Sequence, residues 1–468
     1  MDSQTIVAPM TPMGVSAVAA LRVSGSRVRD VVEGLFGSKA AKGLVPRMAN
    51  LGTARDPKSG KVLDSLLYIY FESPNSYTGE DVLELYPHGN PLIVRDLLQT
   101  IRSIDGVRLA EPGEYTRRAF LNGKMDLTQA ESVADVIHSA NRAELENAHR
   151  LLSGALSKKI ATLSAQVKDI SARLELDVDF AEEEADPDFA GWETRFVSIR
   201  ESILQILNSF RGKAALSRLP LAVLYGAPNA GKSSLVNALL GEDRVLVSNV
   251  PGTTRDFVEV RLFLEGGEIR LVDTAGIADK ATDELDALSM KKSREILEEA
   301  DLKILVLDGT DERTGGALQT RDEIIPDFIV VSKSDLTSCH PELYETKNFS
   351  SQVELSSLGK AKRVEGSLCI SSKTGAGLAE LKSIMNSALF KKRENEEDLW
   401  ITSEREKTCL EEALAGVNRV LDLLRRNPAV ELLAFEMQLV RRALQSITGE
   451  ISSEDILQSI FAGFCIGK

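Results

Sequence analysis

Over residues 1 to about 120, short β-rich runs such as Ser65–Phe71 and Asp81–Tyr86 mix with a helical stretch, Pro91–Ile104. That mixture predicts an α+β domain. From Leu127 to about Leu216 the apolar spacing changes to three and four, and Glu131–Ala181 carries few breakers. This part reads as a bundle of long helices, interrupted by the acidic stretch Glu182–Pro187. Residues 219 to about 388 alternate strand and helix, the pattern of a parallel sheet. Helical spacing returns from Glu404 onward, through Leu410, Ala413, Val417, Val420, Leu421 and Leu424. Two helical stretches thus flank one α/β unit, which predicts an insert in a helical domain whose halves pack together. The expected boundaries are 1–122 for the α+β domain, 123–217 and 389–468 for the helical halves, and 218–388 for the insert.

Composition narrows the class. The chain of 468 residues is 43% hydrophobic and 27% charged, which suits a globular protein of about three domains. No stretch approaches the ~20 apolar residues of a membrane span, and Met1–Gln4 lacks the basic start of a secretory signal. The four cysteines, Cys339, Cys369, Cys409 and Cys465, are scattered without a CxxC pair. They argue against a disulfide framework or zinc knuckle and for a cytoplasmic protein with no membrane partner. The net charge of −14 gives no bulk support for tight autonomous RNA binding.

The chemistry is concentrated at Gly226–Ser233, which reads Gly-Ala-Pro-Asn-Ala-Gly-Lys-Ser between an apolar strand, Leu221–Tyr225, and a helical run beginning at Ser234. Glycines allow the backbone to wrap so that Asn229, Ala230, Gly231 and Ser234 contribute to a phosphate cradle at a helix N-terminus. Lys232 brings a cation to the β- and γ-phosphates, and the Ser233 hydroxyl is a Mg²⁺ ligand. Downstream, Asp273-Thr274-Ala275-Gly276 follows an apolar strand, so Asp273 suits the Mg²⁺ shell and the Gly276 N–H the γ-phosphate. Between them, Thr254 of Gly252–Asp256 is the expected second Mg²⁺ ligand. Ser332-Lys333-Ser334-Asp335 follows a further strand, and its Asp335 carboxylate suits the guanine N1–H and amine. Ser371-Ser372-Lys373 matches the loop that meets the guanine carbonyl. The order predicts a Ras-like P-loop GTPase domain.

Two departures stand out. Ser332 occupies the place of the usual asparagine, which weakens a contact to the base while Asp335 keeps guanine selectivity. Ile277 occupies the place of a water-orienting glutamine, so charge in the transition state needs another source. The Asn229 amide oxygen is a candidate ligand for a monovalent cation that supplies it; the bland alternative is a turn residue.

Together with Ser76–Asp81, His88-Gly89, Pro112-Gly113-Glu114, Arg118–Asn122 and the terminal Cys465-Ile466-Gly467-Lys468, these motifs resemble the MnmE (TrmE) family of tRNA-modification GTPases over essentially the whole chain. The resemblance implies an N-terminal folate-binding domain that dimerises, a helical domain and an inserted GTPase domain. It implies a homodimeric, K⁺-stimulated hydrolase of GTP, an acid anhydride. With the flavoprotein MnmG, the family adds an aminomethyl or carboxymethylaminomethyl group to the 5-position of wobble uridine in certain tRNAs. A tetrahydrofolate derivative, 5-formyl- or 5,10-methylene-tetrahydrofolate, supplies the carbon.

Carried over by position, Asn229, Ser248, Val250 and Thr253 match K⁺ ligands. Arg22, Glu84, Lys124 and Lys468 match folate contacts. The family's water-orienting glutamate aligns with Asp286, one methylene shorter, and Glu284 is the alternative. Cys465 has two open readings, a thiol acting beside the entering uridine or an inert small residue. The competing function class is a regulatory GTPase that binds ribosomal RNA during assembly; it lacks here the basic RNA-binding module usual for that class.

Overall fold

A computed structural model describes residues 4–179, 189–212, 218–241, 257–274, 294–311, 326–337, 367–390, 399–426 and 430–468. The chain forms two compact units. One comprises Met1–His138, Glu146–Gly212 and Leu399–Lys468, the other Ser139–Leu145 and Lys213–Asp398.

The first unit opens with β1 (Thr5–Pro9), β2 (Ser16–Val18), β3 (Leu21–Ser24), α1 (Val28–Phe36), α2 (Ser38–Lys42), β4 (Ala49–Arg55), β5 (Val62–Phe71), β6 (Val82–Tyr86), β7 (His88–Gly89), α3 (Pro91–Arg102), β8 (Val107–Leu109) and α4 (Glu114–Leu121). Six strands form a sheet in the order β4-β5-β6-β3-β1-β8, with only the β1–β8 pair parallel. Period-two alternation decides its faces. Leu21, Val23, Leu83 and Leu85 turn to one side, where Val31, Leu35, Leu97 and Ile101 of α1 and α3 complete a buried core. The intervening Arg22 and Glu84 face the other side and are register partners. α3 starts cleanly because the Asn90 side chain accepts the Leu92 N–H and Pro91 needs no partner for a missing N–H.

The helices of this unit are α5 (Leu127–His138), α6 (Arg142–Leu152) from Glu146 onward, α7 (Ala155–Asp179) and α8 (Phe189–Asn208), then α11 (Glu404–Leu424), α12 (Val430–Thr448) and α13 (Glu454–Ala462). The bundle of long helices expected from Glu131 is built of α5, α6 and α7 as separate helices, with Gly154 at φ +83° between the last two and residues 139–145 in the second unit. The predicted joining of the two helical stretches is seen in one core, where Leu163, Ile170, Phe196 and Ile203 pack with Val417, Val420, Val440 and Leu444. α13 is started by Ser453, whose hydroxyl accepts the Ile456 N–H, with Glu454 and Asp455 favourably placed in its first turn. The acidic stretch 182–187 lies outside the described residues.

The second unit is a six-stranded sheet of β9 (Leu221–Tyr225), β10 (Phe257–Leu264), β11 (Gly267–Thr274), β12 (Leu302–Asp308), β13 (Phe328–Ser332) and β14 (Ser367–Cys369). Its order is β10-β11-β9-β12-β13-β14, parallel except for β10. β9 and β13 are buried at every position, as continuous apolar runs in a covered parallel sheet require. Helices α9 (Lys232–Gly241) and α10 (Leu378–Leu389) pack on it through Leu235, Leu239, Leu381 and Met385. Cys409 and Cys465 are free thiols, whereas Cys369 is disulfide-bonded, against the expectation from the scattered spacing. Among the described residues no helix is long and apolar enough to cross a membrane.

Candidate nucleotide site and a second cationic cluster

At the C-terminal ends of β9, β11, β12 and β13 the chain builds a cradle, where open parallel sheets generally bind ligands. The turn from β9 to α9 needs unusual backbone at three points. Gly226 has φ +145°, and a Cβ there would meet the Val306 carbonyl oxygen at 2.2 Å, so only glycine fits. Gly231 has φ +94°, and Asn229 has φ +63°, a conformation asparagine tolerates better than most residues. Asn229 therefore serves the turn with its backbone while its side chain stands exposed.

Lys232 lies inside this loop, 6% exposed, with Nζ donating to the Gly226 and Ala227 carbonyls at 2.9 Å each. Burial pushes its pKa down, and the nearby Asp273 carboxylate offsets that in part. Ser233 Oγ donates to Asp273 Oδ2 at 2.6 Å. The other Asp273 oxygen, Oδ1, is buried and has no hydrogen-bond partner. A buried carboxylate oxygen without a donor is costly unless a cation or water completes it. The pair therefore fits a hard divalent cation, which takes oxygen ligands.

A cavity of about 660 Å³ adjoins the cradle, lined among others by Gly231, Ser234, Ser332, Lys333, Asp335, Ser372 and Lys373. Its volume lies in the range of small-molecule sites. Ser371 Oγ donates to Asp335 Oδ1 at 2.7 Å, which orients that exposed carboxylate. Ser332, 2% exposed, donates its hydroxyl to the Ala230 carbonyl at 2.6 Å. The serine thus ties the P-loop to the end of β13, a link the sequence did not indicate. Lys333, at φ +60°, reaches Asp308 Oδ2 at 2.5 Å. Burial raises the Asp308 pKa, but hydrogen bonds from Lys333 and Thr310 outweigh it and hold the carboxyl below its ordinary value. Asp308 was not foreseen; its signal was its place opposite Ser332 at the end of β12. Asn237, Ala238 and Leu336 also line the cavity without having been anticipated. Ser248, Val250, Thr253, Thr254, Gly276, Glu284 and Asp286 lie outside the described residues.

A second cluster lies in the first unit. Arg22 donates from Nε and Nη2 to Glu84 Oε1, at 3.1 and 2.8 Å, and their side chains are 11% and 13% exposed. Tyr86 O–H donates to Glu84 Oε2 at 2.5 Å, and this contact helps push the tyrosine up to about 12, behind the larger effect of burial. The guanidinium lies 4.9 Å from the Tyr77 ring centroid and 5.8 Å from that of Tyr115, within cation–π range. Its Nη1 is buried with no acceptor. Lys468 shares this field: burial first, then Arg22, lowers its pKa, while Glu84 raises it. Gly467, at φ +97°, lets the C-terminal turn reach β1, since a Cβ there would sit 2.3 Å from the Pro9 carbonyl oxygen. Lys124 is exposed and donates to the Pro74 carbonyl at 2.9 Å. Cys465 is an exposed free thiol whose Sγ is 4.0 Å from His138 Nε2.

Comparison with known proteins agrees across the chain. Residues 5–124 match the family model for the GTP-binding protein TrmE N-terminus, and residues 127–465 match that for the MnmE helical domain. The tRNA modification GTPase MnmE of Histophilus somni (strain 129Pt) is 35% identical over 475 residues, covering 100% of both chains. Its counterpart from Aquifex aeolicus is 37% identical over 471 residues, covering 99% of this chain and 100% of the other. That of Carboxydothermus hydrogenoformans is 36% identical over 478 residues, covering 100% of both. With a P-loop cradle, a guanine-type loop set and matches of this extent, the chain belongs to the MnmE family of tRNA modification GTPases.

Proposed function

We propose that the protein is a K⁺-stimulated GTP hydrolase that, with the flavoprotein MnmG, modifies the 5-position of wobble uridine in certain tRNAs. The product carries an aminomethyl or carboxymethylaminomethyl group, and a tetrahydrofolate derivative supplies the carbon. The observation that carries the nucleotide part is the Ser233–Asp273 pair with its orphaned Oδ1 beside the Lys232 loop. Ser233 and Asp273 would hold Mg²⁺, which neutralises phosphate charge when bound. Lys232 is parked on two backbone carbonyls that phosphate oxygens can replace as acceptors. Asp335 accepts from guanine, Ser371 holds its orientation, and Ser332 keeps the P-loop against the base loop. Asn229, Ser248, Val250 and Thr253 hold K⁺, Thr254 completes the Mg²⁺ shell, and Asp286 orients water in this reading.

The folate part is supported by the unspent donor of Arg22 and by Lys468, two cations beside a single carboxylate. Both suit the glutamyl carboxylates of a folate. Glu84 Oε2 accepts only from Tyr86 and keeps a lone pair for the pterin amidine edge, whereas Oε1 already accepts two N–H bonds from Arg22. Lys124 is assigned to the same ligand. Two subunits form a homodimer in the cytoplasm.

The test is mass spectrometry of tRNA nucleosides from cells lacking the gene, complemented with wild type or Lys232→Ala. Loss of 5-aminomethyl-type wobble uridines, restored by wild type alone, is expected. An unchanged nucleoside profile would overturn the tRNA assignment while leaving the GTPase one standing.

A further inference from the structure

Ser332 ends β13, is 2% exposed, and lines the cavity of about 660 Å³ together with Lys333 and Asp335. A hydroxyl carries one hydrogen, and here it goes to the Ala230 carbonyl at 2.6 Å. The approach to the P-loop is close, since a Cβ on Gly231 would lie 3.3 Å from the same hydroxyl oxygen. The strand end is held from its other side as well, where the Gly309 N–H donates to the Ser332 carbonyl at 3.1 Å. A hydroxyl fixed between two backbone segments and shut off from water turns to a second acceptor only by giving up a buried carbonyl. That exchange is unfavourable.

Two neighbouring polar groups are likewise directed at protein acceptors. Lys333 Nζ reaches Asp308 Oδ2 at 2.5 Å, and Ser371 Oγ donates to Asp335 Oδ1 at 2.7 Å. Guanine presents a donor edge, N1–H with the 2-amino group, and two acceptors, O6 and N7. Asp335 answers the donor edge, because a carboxylate only accepts. N7 lies at the other end of the fused ring and requires a donor. An asparagine at position 332 would have two amide hydrogens, one for the P-loop carbonyl and one for N7. Serine has only the first.

We propose that this GTPase leaves N7 of its nucleotide unread. Ser332 commits to the P-loop the hydrogen that would recognise N7, and guanine is selected through its N1–H and 2-amino edge. The ligand class is therefore guanosine nucleotides irrespective of the atom at position 7, 7-deazaguanine included. The inference rests on the assignment of Asp335 to the guanine edge. Serine thus replaces recognition of one ring atom by anchorage of the loop that holds the phosphates.

The experiment is calorimetric titration of the full-length chain, in Mg²⁺, with GDP, 7-deaza-GDP and inosine diphosphate. In the wild type, GDP and 7-deaza-GDP should agree within about twofold, since no hydrogen bond distinguishes them. Inosine diphosphate, which lacks the 2-amino group, should bind about tenfold more weakly, the scale of one hydrogen bond to a carboxylate. Ser332→Asn should create a 7-deaza penalty of about tenfold by supplying the second hydrogen. Ser332→Ala, which only unties the P-loop, should weaken GDP and 7-deaza-GDP alike and keep their ratio near that of the wild type. A tenfold 7-deaza penalty in the wild type, with the inosine penalty intact, would overturn the inference and leave the guanine assignment standing. Absence of a 7-deaza penalty in Ser332→Asn would also overturn it, because residue 332 would then not face that edge. Equal binding of GDP and inosine diphosphate would instead remove the Asp335 assignment on which the inference rests.

Discussion

Lys232 and Arg22 are both buried cations, and the molecule satisfies them in opposite ways. Lys232 has backbone carbonyls around it and a carboxylate only at the distance of an electrostatic influence. Arg22 has a direct carboxylate partner, two aromatic rings and a second cation, Lys468, pressed into the same field. The first arrangement keeps a charge available by giving it weak, replaceable acceptors. The second fixes a charge with a strong partner and leaves the surplus on Nη1 and Lys468. A ligand anion in the first place displaces carbonyls; in the second it fills a deficit. The two sites should therefore respond in opposite directions when a charged side chain is removed.

The largest effect is expected at Lys232. Lys232→Ala should reduce GTP turnover about a thousandfold, the scale of losing a central electrostatic group. Its thermal midpoint should hold or rise, because a desolvated cation without a close carboxylate is removed. Turnover near wild type in a phosphate-release assay would break the contrast at its strongest point. Glu84→Ala should do the reverse. It strips the carboxylate from between two cations and should cost about 3 kcal/mol in urea unfolding, with GTP turnover unaffected. A stability loss no greater than that of an exposed surface pair would mean that the cluster is solvated and that Arg22 is not held by Glu84.

The same contrast governs what could be read in advance. The cradle is nearly contiguous in sequence: Gly226, Asn229, Gly231, Lys232 and Ser233 are placed by one strand-turn-helix, so their types and spacing carry the geometry. The cationic cluster joins Arg22 on β3, Glu84 on β6 and Lys468 at the far end of the chain, with no local pattern linking them. Alternation along each strand could put Arg22 and Glu84 on a non-core face, but only the β3–β6 register makes them partners. Tyr86 was recoverable as the residue two beyond Glu84 on the same strand face; Tyr77 and Tyr115 come from a loop and a helix and were not. The tie from Ser332 to Ala230 escaped notice because a serine that replaces an asparagine reads as a loss until the P-loop carbonyl is seen beside it. The crossing of residues 139–145 to the second unit was hidden for a related reason. Apolar spacing cannot register that residues 139–145 contribute to a different sheet, where Asn141 bridges Gly267 and the Arg142 N–H donates to the Gly266 carbonyl.

Asn229 sharpens the first half of the contrast. If the cradle borrows its missing positive charge from a monovalent ion, hydrolysis should run about tenfold faster in KCl than in NaCl of equal strength. Asn229→Ala should abolish most of that difference. Asn229→Gly, which satisfies the φ of +63° without strain, should lose the K⁺ response as fully. Retention of the response in the glycine variant would make Asn229 a turn residue and move the cation elsewhere.

The smallest effect tests the second half through pH. Burial and Arg22 lower the Lys468 pKa, so the folded protein gives up this proton below the ordinary lysine value of about 10.4. Between the two pKa values the unfolded chain binds more protons than the folded one. The Lys468 contribution to stability therefore rises with pH across that window, as a strained charge is removed. Binding of an anion must show the opposite slope, because the charge that attracts it is lost over the same range. Affinity for 5-formyltetrahydrofolate should fall about threefold across the window, the scale of one partly exposed charge contact. Lys468→Gln should flatten the binding slope and the stability slope together. A binding slope that survives in Lys468→Gln would place the titrating group elsewhere, because a guanidinium keeps its proton throughout this window, and would show that the C-terminal lysine covers the site without reading the ligand.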